Sequence, residues 1–117
     1  MEENKSFLED RIQQEIVIWF RNHCIIEKLP YLIYAVMNDE PTKARRIRAW
    51  QMGVLAGVSD LIVETGERLI YCEVKTETGT QSKDQKEFES KVKALGRNYI
   101  LVRSVEDFKE QIKPFLI

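Results

Sequence analysis

The chain has 117 residues, 32% of them charged and 44% hydrophobic, with a formal net charge of −1. That length supports one domain over 1–117 with a core of its own, and that balance excludes a polycationic chain, so any grip on a nucleic acid must rest on local patches. No apolar run is long enough to cross a bilayer, and the opening Met1-Glu-Glu-Asn is unlike a signal peptide, so a cytoplasmic protein without a membrane partner is expected.

Phe7, Leu8, Ile12, Ile16, Trp19 and Phe20 recur at spacings of three and four, which predicts an amphipathic helix over 7–22. Ser6 followed by Glu9 matches a capping box at its start. His23, the one histidine, falls at the end of that helix and reads as structural or surface. Cys24 and Cys72 lie on apolar faces without C-x-x-C spacing, the pattern of free buried thiols in a reducing compartment. A short strand is predicted over 31–37, ended by the polar run Asn38-Asp-Glu-Pro-Thr42. A basic helix over 43–52 follows, with Gly53 as its stop. Trp50, like Trp19, reads as a core or dimer contact rather than a base-stacking platform.

Residues 60–64 then read as a strand, 65–68 as a turn and 69–75 as the returning strand. Ser82 opens a helix to Leu95, with Phe88, Val92 and Leu95 apolar and Gly96 its end. A short buried strand at 99–102 and a last helix from near Ser104, with Val105, Phe108 and Ile112 inward, complete the chain. The order of strand, helix and strand from residue 69 onward is a βαβ unit, whose two strands are parallel. The fold class is therefore α/β, a single domain with a mixed central sheet flanked by helices.

The hairpin carries the chemistry. If Glu64 pairs with Leu69, Asp60 falls opposite Glu73, and directly opposed residues have Cβ atoms roughly 4.5–5.5 Å apart. In that register Leu61, Val63, Ile70, Cys72 and Val74 share one face, while Asp60, Glu73 and Lys75 share the other. Two facing carboxylates repel unless a hard cation lies between them, so the pair reads as a divalent-metal site with the Lys75 ammonium beside it. Such a trio suits phosphodiester hydrolysis, with the amine offsetting charge on the phosphate under attack. The plain alternative is an exposed hairpin whose Glu-x-Lys keeps a sheet edge soluble.

Taken together, Gly53-x-x-x-Gly57-Val-Ser-Asp60-Leu, Tyr71-Cys-Glu-Val-Lys75, Gln81-Ser-x-x-Gln85-x-x-Phe88 and Gly96-x-x-Tyr99 resemble the virus-type replication-repair nuclease (VRR-NUC) domain of the PD-(D/E)xK nuclease superfamily. The similarity runs over about 7–103. One departure is Ser59, where proline is usual before the aspartate. The resemblance implies a Mg²⁺- or Mn²⁺-dependent phosphodiesterase acting on DNA in recombination, repair or phage replication, without a nucleotide cofactor. Stand-alone phage and bacterial members of this size form homodimers and cut branched DNA such as four-way (Holliday) junctions. Carried over by residue, Asp60 and Glu73 are metal ligands, the Val74 carbonyl is a further ligand and Lys75 is the catalytic lysine. Gln85 matches a helix glutamine near the site, although Ser82-x-x-Gln85 is also a capping box. Glu9 best matches the family's first-helix acid, with Gln13 one turn on and Glu15 as a rival. Asn38-Asp39-Glu40 matches an asparagine-acid pair, and turn chemistry explains it equally well.

Lys43, Arg45, Arg46 and Arg48 place four cations in six positions just before Asp60. A basic run is often only a solvated helix face, but a chain of net charge −1 that holds a polyanion must concentrate its cations, so this run is the expected DNA contact, with Lys83, Lys86 and Lys91 as an extension. Two rival functions stand beside the nuclease: a non-catalytic DNA-binding or recruitment module on the same fold, and a subunit of a restriction or exonuclease assembly.

Overall fold

The computed structural model describes residues 5–37 and 42–116, with the side chains of Lys5 and Ser6 excepted. Asn38, Asp39 and Glu40 lie outside the described residues. Among the described residues four helices and four strands follow one another as α1 (Lys5–Glu27), β1 (Leu32–Ala35), α2 (Lys43–Gln51), β2 (Leu61–Thr65), β3 (Arg68–Val74), α3 (Lys83–Ala94), β4 (Asn98–Val102) and α4 (Val105–Ile112), with a final 3-10 turn at Lys113–Phe115.

α1 is longer than its apolar periodicity predicts. Ser6 already lies inside it, so the expected capping box does not start the helix, and serine is only mildly unfavourable in a helix interior. At the other end the chain passes His23 and stops where Lys28 turns left-handed at φ +55°. The Leu29 N–H reaches back to the Cys24 carbonyl at 2.9 Å, which closes the last turn. His23 is thus inside the helix, stacked on Trp19 with ring centroids 5.0 Å apart.

The sheet order is β1-β2-β3-β4, antiparallel except for the parallel pair β3 and β4. Glu64 pairs with Leu69 and Leu61 with Cys72, the register expected from the sequence, while the turn shrinks to Gly66 and Glu67 because Thr65 and Arg68 still pair. Gly66, at φ +57°, accommodates that tight reversal.

One face of the sheet presents Leu61, Val63, Ile70, Cys72, Val74, Ile100 and Val102 to Ile16 and Phe20 of α1 and to Phe108 and Ile112 of α4. Trp19 packs edge-on to Phe108 at 6.2 Å, part of this core as expected. Both cysteines are free and buried there. The opposite face is covered by α3, whose Phe88 meets Tyr71 at 5.2 Å and Tyr99 at 6.3 Å. Leu95 does not join it. The side chain is 75% exposed at the C-terminal end of α3, where the left-handed Gly96 (φ +73°) turns the chain away.

Two further expectations change. Trp50 is 71% exposed, because α2 buries no residue, so it is not a core side chain. Nor is the hairpin the exposed sheet edge of the plain alternative: with α3 over its charged face, Glu73 is fully buried and Lys75 is 7% exposed. Among the described residues no helix is long and apolar enough to cross a membrane.

Candidate active site

Ser59 introduces the site. Its hydroxyl is buried and donates to the Leu61 carbonyl at 3.2 Å, a local bond that holds the bend before β2 without the rigid ring that a proline would supply. Asp60 stands at the mouth of the hairpin, just before β2, and its Oδ2 accepts the Val74 N–H at 2.8 Å. A carboxylate therefore takes the place of a main-chain carbonyl where the ladder between β2 and β3 ends. Because the N–H and C=O of one strand residue face the same neighbouring strand, the Val74 carbonyl also points toward this mouth.

Glu73 projects from β3 beneath α3. Gln85 Nε2 donates to its Oε1 and the Tyr99 hydroxyl to its Oε2, each at 3.4 Å. Gln81 Nε2 in turn donates to the Tyr99 oxygen at 3.1 Å and to Glu89 Oε1 at 2.9 Å. Glu89 is held by Lys93 at 2.7 Å, so the network runs from the surface of α3 to the buried acid. Gln85 serves two purposes at once. Its Oε1 accepts the Ser82 N–H at 2.8 Å while Ser82 caps the Gln85 N–H, so the capping box fixes the amide that reaches Glu73.

Burial pushes the Glu73 carboxyl from the ordinary 4.5 up to about 9, reinforced by its hydrogen bond with Asp60 and by that neighbour's negative charge, with Lys75 and Tyr99 opposing the rise. Burial also raises the Tyr99 hydroxyl, which keeps it a proton donor. Without a cation Glu73 therefore holds on to its proton. A divalent ion is the natural replacement for that proton, and two carboxylates with a main-chain carbonyl are the hard oxygen donors Mg²⁺ or Mn²⁺ takes. Among the described residues no three Asp, Glu, His or Cys side chains converge to hold a metal. Water or substrate oxygens would have to complete the shell.

The structure thus brings Asp60, Glu73, Lys75 and Gln85 to one place. Glu9 is half-buried on α1, which packs on the other face of the sheet, and does not join Asp60 and Glu73 in a metal-holding group. Glu15 is exposed, and Gln13 lines a cleft between α1 and β1 with Asp10, Arg21 and Tyr34. Lys43, Arg45, Arg46, Arg48, Lys83 and Lys86 are exposed, and Lys91 pairs with Glu87 at 3.5 Å. Gln81 and Tyr99 stand in the motif string with no role assigned to them. The parallel register supplies the missing signal, since Tyr71 pairs with Tyr99 and Glu73 with Leu101, which puts Tyr99 on the face of Glu73.

A solved structure described as a VRR_NUC domain protein superposes on the chain with a TM-score of 0.67, covering 92% of this chain and 87% of that one at 19% identity. The chain has the VRR-NUC fold. No protein-family model matches the sequence, and no curated protein matches it. At that identity the likeness establishes the architecture alone, and in this chain Asp60 and Glu73 meet at the hairpin mouth with α3 above it.

Two expected outcomes follow from the geometry. Between about pH 4.5 and 9 the folded metal-free chain keeps a proton on Glu73 that the unfolded chain has released, so stability falls as pH rises through this window. The contribution is fully present below 4.5 and lost above 9. Thermal melts across pH, with and without Mn²⁺, should show this slope, and Mn²⁺ should flatten it by displacing the proton; equal slopes in both series would contradict a cation between the acids. The second concerns Arg103, whose Nη1 donates to the Thr76 and Gly79 carbonyls at 2.7 Å each and ties down the loop after Lys75. Arg103→Ala should cost about 2 kcal/mol in urea unfolding, and an unchanged midpoint would show that the loop holds itself.

Proposed function

We propose that the chain is a Mg²⁺- or Mn²⁺-dependent endodeoxyribonuclease that hydrolyses phosphodiester bonds in branched DNA as a homodimer. The observation that carries this reading is the convergence of Asp60 and Glu73 at the hairpin mouth, with the buried Lys75 beside them, on a VRR-NUC fold. Mg²⁺ or Mn²⁺, when bound, supplies Lewis acidity toward the phosphate and a water made nucleophilic near neutral pH. Asp60, Glu73 and the Val74 carbonyl would hold it. Lys75 presents a cation to the charge that develops on the phosphate, in a site where burial strengthens that interaction. Gln85 and Tyr99 hold the Glu73 carboxylate in one orientation, so the ligand needs no rearrangement when substrate arrives. The exposed cations of α2 supply the phosphate grip that a chain of net charge −1 otherwise lacks.

A dimer with two-fold symmetry would offer paired sites to a two-fold substrate, which suits symmetric nicks across a four-way junction. The test is incubation of a synthetic four-way junction, a linear duplex and a single strand with the chain in Mg²⁺, Mn²⁺ or chelator. Paired nicks in opposite strands that require the metal support the reading. Trimming of linear ends alone would remove the junction and endonuclease parts, and DNA binding with no cleavage in either metal would favour a non-catalytic module.

A further inference from the structure

α2 is built differently from the other three α-helices. It buries no residue, and its nine residues carry Lys43, Arg45, Arg46 and Arg48 with no acid among them. Lys43, Arg46, Ile47 and Trp50 recur at spacings of three and four, so they share one side of the helix, and together they line a surface cleft of about 510 Å³. Ile47 is 50% exposed and Trp50 71%. Trp50 also borders a smaller cleft against α3, beside Asp84, Glu87 and Phe88. Asp84 immediately precedes Gln85, whose amide bonds Glu73. The indole therefore lies along the flank of the helix whose first turn reaches the acid pair.

Leaving an indole in water is unfavourable unless something covers it. A second copy of the chain placed symmetrically over this side would set Lys43 and Arg46 against their own counterparts, with no carboxylate on the helix to offset them. A polyanion that also offers flat apolar rings satisfies both halves of the surface. Paired DNA offers the phosphates but keeps its base faces stacked inside, whereas an unpaired strand offers phosphates and free base faces together.

We propose that the Lys43–Arg46–Trp50 side of α2 holds an unpaired nucleotide, with the cations on its phosphates and the Trp50 indole stacked on its base. The proposal rests on the reading of the chain as a DNA nuclease and narrows the substrate class to DNA with unpaired or unstacked bases near the cleavage point. It also reverses the expectation that Trp50 is a core or dimer contact.

The test uses the full chain, as wild type, Trp50→Ala and Trp50→Phe, with metal chelated so that nothing is cut. Binding to an oligothymidylate strand and to a blunt duplex of equal length is followed by anisotropy and by tryptophan fluorescence. Trp19 is half-buried against Phe20 and Phe108, so the quenching that reports on Trp50 is the part Trp50→Ala removes. Trp50→Ala should weaken single-strand binding about tenfold and remove most of the quenching, with duplex binding changed by less than about twofold. Trp50→Phe, which can still stack, should stay within about threefold of wild type. Equal single-strand affinity in Trp50→Ala and wild type overturns the proposal, as does a wild-type dimer that Trp50→Ala converts to a monomer with DNA affinity unchanged. Trp50-dependent single-strand binding without metal-dependent cleavage would sustain this surface and sink the nuclease reading. Asp60-dependent cleavage together with normal binding by Trp50→Ala would do the reverse.

Discussion

Asp60→Asn, Glu73→Gln and Lys75→Ala are each expected to lower metal-dependent cleavage by on the order of a thousandfold, the scale of losing one preorganised electrostatic partner of a transition state. The first two substitutions nearly conserve shape, which separates chemistry from folding. Asparagine at position 60 still offers an oxygen to the Val74 N–H, whereas alanine would leave that donor unpaired at a cost of about 1–3 kcal/mol. Glutamine at position 73 removes a buried carboxyl that resists ionisation, so Glu73→Gln should be more stable than wild type without metal at pH 8 and should gain little on adding Mn²⁺. Loss of activity with a preserved or raised melting temperature is the signature sought. Cleavage that survives all three substitutions would mean that the hairpin mouth is not the reactive centre.

Gly57→Ala is expected to be the most damaging single-methyl change in the chain. Gly57 has φ +84°, and a Cβ built on it would lie 2.2 Å from the Asp84 carbonyl oxygen and 2.8 Å from the Gln85 nitrogen, both main-chain atoms of the first turn of α3. The left-handed backbone alone costs a non-glycine residue roughly 1–2 kcal/mol. The overlap adds to it, because helix backbone cannot rotate aside as a side chain can, and a total on the order of 3 kcal/mol or more follows. Relief of the overlap must part the segment leading to Asp60 from the turn that carries Gln85. Activity should therefore fall even at temperatures where the variant remains folded. Gly53→Ala is the natural control, since Gly53 has φ +102° and open space where its Cβ would go. If the two variants unfold at the same urea concentration, close packing at Gly57 is not what holds these segments together.

Much of this was legible in the sequence because it depends on period and pairing. Apolar alternation in 60–75 about a turn read at 65–68 leaves one register that buries a continuous face, and that register, which the structure keeps while shortening the turn to Gly66-Glu67, puts Asp60 opposite Glu73. Ser82 and Gln85 announce the start of α3 through capping chemistry. What stayed hidden depends on which elements cover which face. A strand pattern shows that Glu73 and Lys75 share a side, not that α3 lies over them, so the burial that raises Glu73 appears only in three dimensions. Trp50 misleads for a related reason: a large aromatic is usually covered, and no local signal says that α2 stands clear of the core. Glu9 follows from a motif match alone, and nothing in its own spacing fixes where α1 would bring it.

The sheet divides the molecule into two compartments of unequal duty. Aromatic and aliphatic side chains from α1 and α4 fill one side, while the other holds the acids and their polar network under α3 alone. Substitutions in the polar network on the α3 side touch none of the contacts that α1 and α4 make on the far side, so their energetic effects should sum rather than interfere. An architecture of this kind can drift toward new substrates while its scaffold stays under separate selection.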